Sequence, residues 1–423
     1  MAIVGPEHLV ETSKPPARPE GWTVRVITSP AELEQEQEMW AELGREAAEP
    51  NSFYEPWFFL PAARAFAEPA APWRIIVLEQ TVKNKTHWAG FFPFQIAGAR
   101  WKPMGRQLKL WQHDNCFLTT PLIRARQEHD VLNQLLALLK NDRSFPSLMH
   151  WPLATSGGPI GQALIDIVRR ETLSVHAIET YNRALLRPWE GPDSVVACEE
   201  YLLRSLGGHH LREVRRQRRR LFEAGDLEFR SLQNRAQLGM WIDWFLKLEA
   251  AGWKGREGTA FDCQPETRQF FREIIEGGFD SGAIQMFGLF RRGEPLAMKF
   301  NLLSGAGGFS FKITYQEEFA KLSPGVQLEI DHLRQFQTSG QKWMDSCAIA
   351  DHSMINRLWA ERRTVQNLLI STGRWSSDLR LASLPMGRSI VRTTRRLFRS
   401  AMQFVLHSEG PLPDDPTKLK STH

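Results

Sequence analysis

Cysteine is scarce in this chain: there are four in 423 residues (Cys116, Cys198, Cys263 and Cys347), widely spaced and without a CxxC pair. That excludes a disulfide-stapled scaffold and a cysteine-rich zinc site, and no metal centre is expected. Long apolar runs are missing as well, since none approaches the roughly 18 residues needed to cross a bilayer. The segment Met1 to Pro16 lacks the basic and apolar regions of a secretion signal, so the expectation is a cytoplasmic protein. Charge of one sign is not in large excess either: 53 Lys+Arg against 48 Asp+Glu leave a formal +5. A pI near 9.1 hints at anionic partners, but its meaning depends on where the charge lies. The 42% apolar and 24% charged composition excludes wholesale disorder. At about 150 residues per domain, the length sets a prior of two to three domains.

What is present is one pattern used twice. Strand signals at Trp22–Ile27, 73–78, 87–94, 107–112, 148–152 and 175–179 are interleaved with helical patterns at 30–46, 56–67, 128–140 and 159–170. Ser29-Pro30 is a helix start, with a capping residue ahead of a proline whose missing N–H costs nothing there. The second half repeats the order. Strands are expected at 227–232, 283–290, 295–303, 309–315, 342–347 and 366–371, and helices at 237–251, 265–276, 324–337 and 353–364. The expected fold class is α/β, with mixed α+β sheets in two tandem lobes. The leader is 1–21, the first lobe 22–186, a basic helical connector 187–226 and the second lobe 227–383. An amphipathic helix at 384–407 and a Pro/Asp/Lys tail at 408–423 complete the expectation.

Three strings hold candidate chemistry. In Gly308–Glu329 a strand leads to Ser323-Pro324-Gly325, which opens a helix. Free N–H groups of Gly325, Val326 and Gln327 would join the helix dipole in a site suited to a diphosphate. An ordinary capped helix has the same start. In Leu248–Phe261 a glycine-rich loop gathers Glu249, Trp253, Lys254, Arg256 and Thr259, which suits a substrate loop or a solvated connector. In Trp343–Arg363 a strand delivers Asp345 and Cys347, followed by His352, Asn356 and Arg362. A lone cysteine at a strand end is most often a packed core residue, and His352 is the better acid or base.

The strings LEAAGWKGREGTA, FKITYQEEFAKLSPGVQLE and DSCAIADHSMINRLWAERR resemble the CelD-like branch of the GNAT acyltransferase superfamily, named for its association with cellulose biosynthesis. The resemblance is strong over 206–372 and loose over the first lobe, and it implies a FemX-like tandem of two GNAT folds. It further implies an acyl-CoA co-substrate whose diphosphate sits at Ser323, Gly325, Val326 and Gln327, with Asn356 nearby, and direct attack of an amine on the thioester. On that resemblance, Glu249, Asp345 and His352 are candidate bases and Tyr315 the acid. Lys312, Trp253, Lys254, Arg256, Thr259 and Arg362 are candidate substrate contacts. Strand alternation puts Tyr315 and Lys312 on opposite faces, so both reach one site only if a bulge intervenes. The chain also lacks the Q/R-x-x-G-x-G/A loop common in the superfamily.

Two segments are basic. LREVRRQRRRL (Leu211–Leu221) is a solvated face, or it contacts the nucleotide phosphates of CoA or anionic headgroups. A nucleic-acid partner is not expected without interleaved aromatics. Gly387–His407 has an apolar stripe (Ile390, Val391, Leu397, Phe398, Met402, Val405) flanked by arginines, which suits either a membrane interface or packing on its own domain. The expectation is an N-acyltransferase at the inner membrane face, acting on an amine of a lipid, sphingoid-type or otherwise, or of an envelope-polysaccharide precursor. The alternatives are a FemX-like aminoacyl-tRNA-dependent transferase and a non-catalytic subunit of an exopolysaccharide machine.

Overall fold

The computed structural model describes residues 21–98, 105–191, 195–223 and 225–382; the expected leader, the amphipathic helix at 384–407 and the tail lie outside the described residues, apart from Gly21. The first lobe runs β1 (Trp22–Ile27), α1 (Gln37–Arg45), α2 (Pro56–Phe66), β2 (Trp73–Val82), β3 (Lys85–Ala97), β4 (Gln107–Leu110), β5 (Leu122–Ile123), α3 (Glu128–Asn141), β6 (Leu148–Thr155), α4 (Pro159–Arg170) and β7 (Val175–Leu186). A long helix, α5 (Val195–Glu223), leads to the second lobe and is kinked at Gly207. There follow β8 (Leu227–Ser231), α6 (Leu238–Ala251), α7 (Trp253–Arg256), α8 (Pro265–Asp280), β9 (Ile284–Arg291), β10 (Glu294–Ser304) and β11 (Gly307–Tyr315). The chain ends its described course with α9 (Pro324–Thr338), β12 (Trp343–Asp345), α10 (Ile355–Leu358), β13 (Glu361–Ser371) and α11 (Trp375–Ala382).

The two lobes share one 13-stranded sheet, in the order β1-β2-β3-β4-β6-β13-β7-β12-β11-β10-β9-β8, with β5 paired to β3 off that path. The last strand of each lobe has crossed to the other. β7 pairs with β12 (Met344 opposite Leu186, Asp345 opposite Leu185), while β13 lies between β6 and β7. The exchange is fastened by charge. Asp345 on β12 accepts from Arg183 on β7 at 2.7 Å and from Arg363 on β13 at 2.8 Å, and both Asp345 and Arg183 are buried. Breaking such a pair leaves a buried charge uncompensated, which fixes the crossing strands.

The core is continuous as well. Phe53 and Phe58 from the first lobe pack edge-on to Phe309, Phe270 and Phe311 of the second, at centroid separations of 5.1, 5.5 and 5.6 Å. Aromatic pairs of this geometry add to plain area burial. α3 and α4 cover the opposite face of the first lobe through Val131, Leu135, Ile160 and Ile167.

One expected element is corrected. The helix expected at 353–364 is a single turn, α10, and the last strand begins at Glu361 rather than 366. Ten residue pairs with β7, from Glu361 opposite Leu185 to Ile370 opposite Val175, outweigh local helical preference there.

Candidate active site

β11 and β12 run parallel through three residue pairs, Gly307 to Phe309 against Trp343 to Asp345, and then diverge. From Ser310 onward the β12-facing edge of β11 therefore has no strand partner in the sheet. Unpaired strand edges offer N–H and C=O groups to a ligand. Opposite β10 the register slips, with Asn301 paired to Ser310 and Phe300 to Lys312, so Phe311 is an extra residue outside the ladder. The bulge puts Lys312 on the same side as Phe311, among the rings of Phe117, Phe261 and Phe311, its ammonium 5.6, 5.2 and 5.4 Å from their centroids.

Lys312 is the most perturbed cation of the site. Burial, reinforced by the neighbouring Lys254, lowers its pKa from 10.5 to about 8, against a smaller opposing effect of Glu249, Cys347 and Asp114. The ring faces supply cation–π attraction, and no carboxylate among the described residues lies within ion-pair distance. His113, from the first lobe, is a neutral imidazole here, since burial and then Lys312 lower its pKa to about 3. A cleft of about 360 Å³ continues from Phe117 and Cys347 across the junction of the lobes, lined further by Tyr181, Arg183, Ile349 and Asn367. Burial raises both the Cys347 thiol and the Tyr181 hydroxyl above their usual ranges. Cys347 is thus a protonated thiol, not a thiolate nucleophile.

The structure brings only some of the expected site residues together. Glu249 lies beside Lys312, but its oxygens are engaged by the Lys254 ammonium at 2.7 Å and the Phe261 N–H at 2.9 Å; it holds the 252–261 segment in place. Within that segment Trp253 and Arg256 are tied to Glu317, and the Thr259 N–H donates to the Lys254 carbonyl at 2.8 Å. Asp345 is a poor base. Burial alone would raise its pKa, but Arg183 and Arg363 outweigh that and hold it below the carboxylate range. Tyr315 packs with Ile313 over Gly325, on the face turned away from Lys312, so the bulge does not unite the two. His352 receives the Ile355 N–H at 3.4 Å, Asn356 donates to the Ala350 carbonyl at 2.7 Å, and Arg362 donates to the carbonyls of Asn356, Trp359 and Glu361. All three brace the α10 turn.

At the head of α9, Ser323 adopts a left-handed backbone (φ 51°) and makes no side-chain cap. No acidic residue occupies the first turn, so the orphan N–H groups and the dipole are available to an anion. Gly325 and Gln327 are buried, and the Gln327 side chain donates to the Val214 carbonyl of α5 at 3.0 Å. Ser323 and Val326, partly exposed, are what a diphosphate would meet. The first lobe's counterpart cannot serve in this way. Its α3 opens with Glu128 and Asp130, and its β4–β6 gap is filled by its own chain: the Thr119 N–H donates to the Leu153 carbonyl at 3.4 Å, and the Asn51 amide donates to the Thr120 carbonyl at 2.7 Å. The open strand edge and acid-free helix start of the second lobe therefore fit acyl-CoA, while the first lobe does not.

Sequence reasoning missed His113, Asp114, Phe117 and Tyr181. The polar run Gln112-His113-Asp114-Asn115 straight after an expected strand was a usable signal, but nothing local tied it to Lys312, some 200 positions away.

With this geometry in view, residues 208–352 match the family model of the acetyltransferase (GNAT) domain. That matched stretch, about a third of the chain, is similar to acetyltransferase (GNAT) domains and supports N-acyl transfer as the enzymatic class. No curated protein matches the chain significantly. Among solved structures, FemX aligns over 82% of this chain and 96% of its own at 9% identity and TM-score 0.49. The DUF2156 C-terminal domain of a putative lysylphosphatidylglycerol synthetase from Agrobacterium fabrum covers 83% and 95% at 10% identity and TM-score 0.45. A tandem GNAT protein from the clavulanic acid biosynthesis pathway covers 83% and 99% at 11% identity and TM-score 0.39.

Proposed function

We propose that this chain is an acyl-CoA-dependent N-acyltransferase, of the CelD-like kind its strings resemble, that acylates a lipid amine in the cleft between the lobes. Acyl-CoA supplies an activated acyl group as a thioester. The chain's own residues do the rest. Ser323 and Val326 at the head of α9 hold the diphosphate, and the free edge of β11 aligns the remainder. Lys312, its pKa lowered to about 8, is neutral in a minority of molecules near pH 7 and in that form takes the proton that the attacking ammonium must shed. The acyl–sulfur bond then breaks, and the CoA thiolate takes up the proton that the nitrogen loses as the amide forms. Burial, with Lys254 beside it, is what leaves part of the Lys312 amine neutral. The acceptor enters past Ile349, an exposed apolar side chain of the cleft lining, which favours a lipid amine, sphingoid-type included, over an amino sugar.

The observation carrying this reading is Lys312, perturbed and flanked by both lobes where β11 leaves β12. Isothermal titration with acetyl-CoA and long-chain acyl-CoA tests the co-substrate, and thiol release with sphingoid and amino-sugar acceptors tests the reaction. Lys312→Met should bind acyl-CoA normally and turn over about 100-fold or more slower. Absence of binding by either thioester, or full turnover by the variant, defeats the proposal.

A further inference from the structure

A second cavity, of about 340 Å³, lies in the first lobe between α4 and the sheet, and shares only Gln366 of β13 with the lining of the acyl-transfer cleft. Its walls are apolar: Ile160, Leu164, Ile165 and Val168 on α4, facing Trp151 and Leu368 on β6 and β13. It is more than twice the roughly 150 Å³ that suffices to bind a benzene ring. It runs alongside α4 from Ile160 to Arg169, about 13 Å at 1.5 Å per residue. A groove of that length and narrow volume suits one extended hydrocarbon chain.

Its two ends differ in polarity. At the N-terminal end of α4 the buried hydroxyls of Thr120 and Thr155 are already engaged. Thr155 donates to Glu49 at 2.6 Å and shares a hydroxyl contact with Thr120 at 3.3 Å, while Glu49 accepts the Ile160 N–H at 2.9 Å. That buried carboxylate caps the helix and repels a second anion. The indole N–H of Trp151, a residue of the cavity lining, is buried without a hydrogen-bond partner, a cost that a ligand oxygen would relieve. Trp151 faces Leu368, which faces Ala177, two residues from Val175, and Val175 lines the cavity together with Arg169. Among the described residues Arg169 has no ion-pair partner, whereas its neighbour Arg170 is held by Glu171. Ile165 and Val175, each 39% exposed, extend the apolar surface out of the cavity.

We infer that this cavity binds a single-chain anionic amphiphile, with its hydrocarbon tail toward Thr155 and its head between the Trp151 N–H and Arg169. The site is independent of the acyl-transfer reading, because it lies on the α4 face of the first lobe, whose own nucleotide slot is closed. Carboxylate and phosphate heads share the required chemistry, so titration calorimetry should use dodecanoate and dodecanoyl lysophosphatidate, with dodecyltrimethylammonium as the charge-reversed control. Saturable one-to-one binding of at least one anionic amphiphile is expected, and the stronger of the two names the source. Leu164→Trp should weaken it at least tenfold by filling the cavity. Arg169→Glu should weaken the anionic ligands and not the cationic one, and Trp151→Phe should cost several-fold without altering the fold. Acetyl-CoA titration of the same variants should be unchanged. If neither anion binds, or if binding survives both Trp151→Phe and Arg169→Glu, the assignment is wrong, whether or not Leu164→Trp folds.

Discussion

Replacing Lys312 with methionine should make the protein more stable while disabling it. The folded environment lowers the Lys312 pKa from 10.5 to about 8, mainly by burial. At 1.36 kcal/mol per unit, (10.5 − 8) corresponds to about 3 kcal/mol of strain at pH 7, where the group is charged in both states. Methionine keeps the straight apolar stem but forfeits attraction to the rings of Phe117, Phe261 and Phe311, about 0.5 kcal/mol each at such a site. The net expectation is a gain of about 1–2 kcal/mol in urea unfolding at pH 7. Its pH dependence is diagnostic. The unfolded chain binds the Lys312 proton more tightly than the folded one, so wild-type stability rises between about pH 8 and 10.5. The variant lacks that rise, and its advantage should fade across the same window. A variant destabilised by more than about 1 kcal/mol at pH 7, or one whose advantage ignores pH, would refute the claim that this amine is held under strain for function.

Asp345→Asn should cost about 3–5 kcal/mol, because buried Arg183 loses its counter-charge where β7 crosses to β12. As the Asp345 pKa is depressed, the wild-type advantage should persist at neutral pH and shrink as acid protonates the carboxylate, which urea titrations across pH will show. A second buried cluster joins Lys299 on β10 to Glu329 and His332 on α9, at 2.7 and 3.0 Å from the Lys299 ammonium. Burial would raise the Glu329 pKa, but Lys299 and His332 outweigh it and bring the group to about 2. Glu329→Gln should therefore destabilise by about 3–5 kcal/mol at pH 7, with the gap closing between pH 4.5 and 2.

The repeated order of strands and helices, the Ser323-Pro324 helix start and the aromatic faces of α6 and α8 could all be read from local pattern, since periodicity and turn chemistry act within about ten residues. The exchange of β7 and β13 could not. Both strands carry ordinary strand patterns, and only the ion pairs of Asp345 with Arg183 and Arg363 reveal which lobe each joins. The turn at 355–358 misled for a related reason, because helical spacing in Ser353–Thr364 yields to a ladder formed with residues 175–185. Lys312 stood out by type, yet its neighbours His113 and Phe117 come from the other lobe, and a bulge at Phe311 decides which face it takes. Tyr315 was drawn to the site by the family resemblance, and the packing of Ile313 over Gly325 keeps it on the far face.

The central claim is that the head of α9 holds the diphosphate of acyl-CoA. Val326 lies in the first helical turn and is partly exposed, so Val326→Glu adds a carboxylate that suits the helix dipole yet repels a diphosphate. Val326 also packs against the core under α9, so the variant is first checked to unfold cooperatively in urea; calorimetric titration with acetyl-CoA should then show affinity reduced by about tenfold or more. Unchanged affinity in a folded variant would contradict the account.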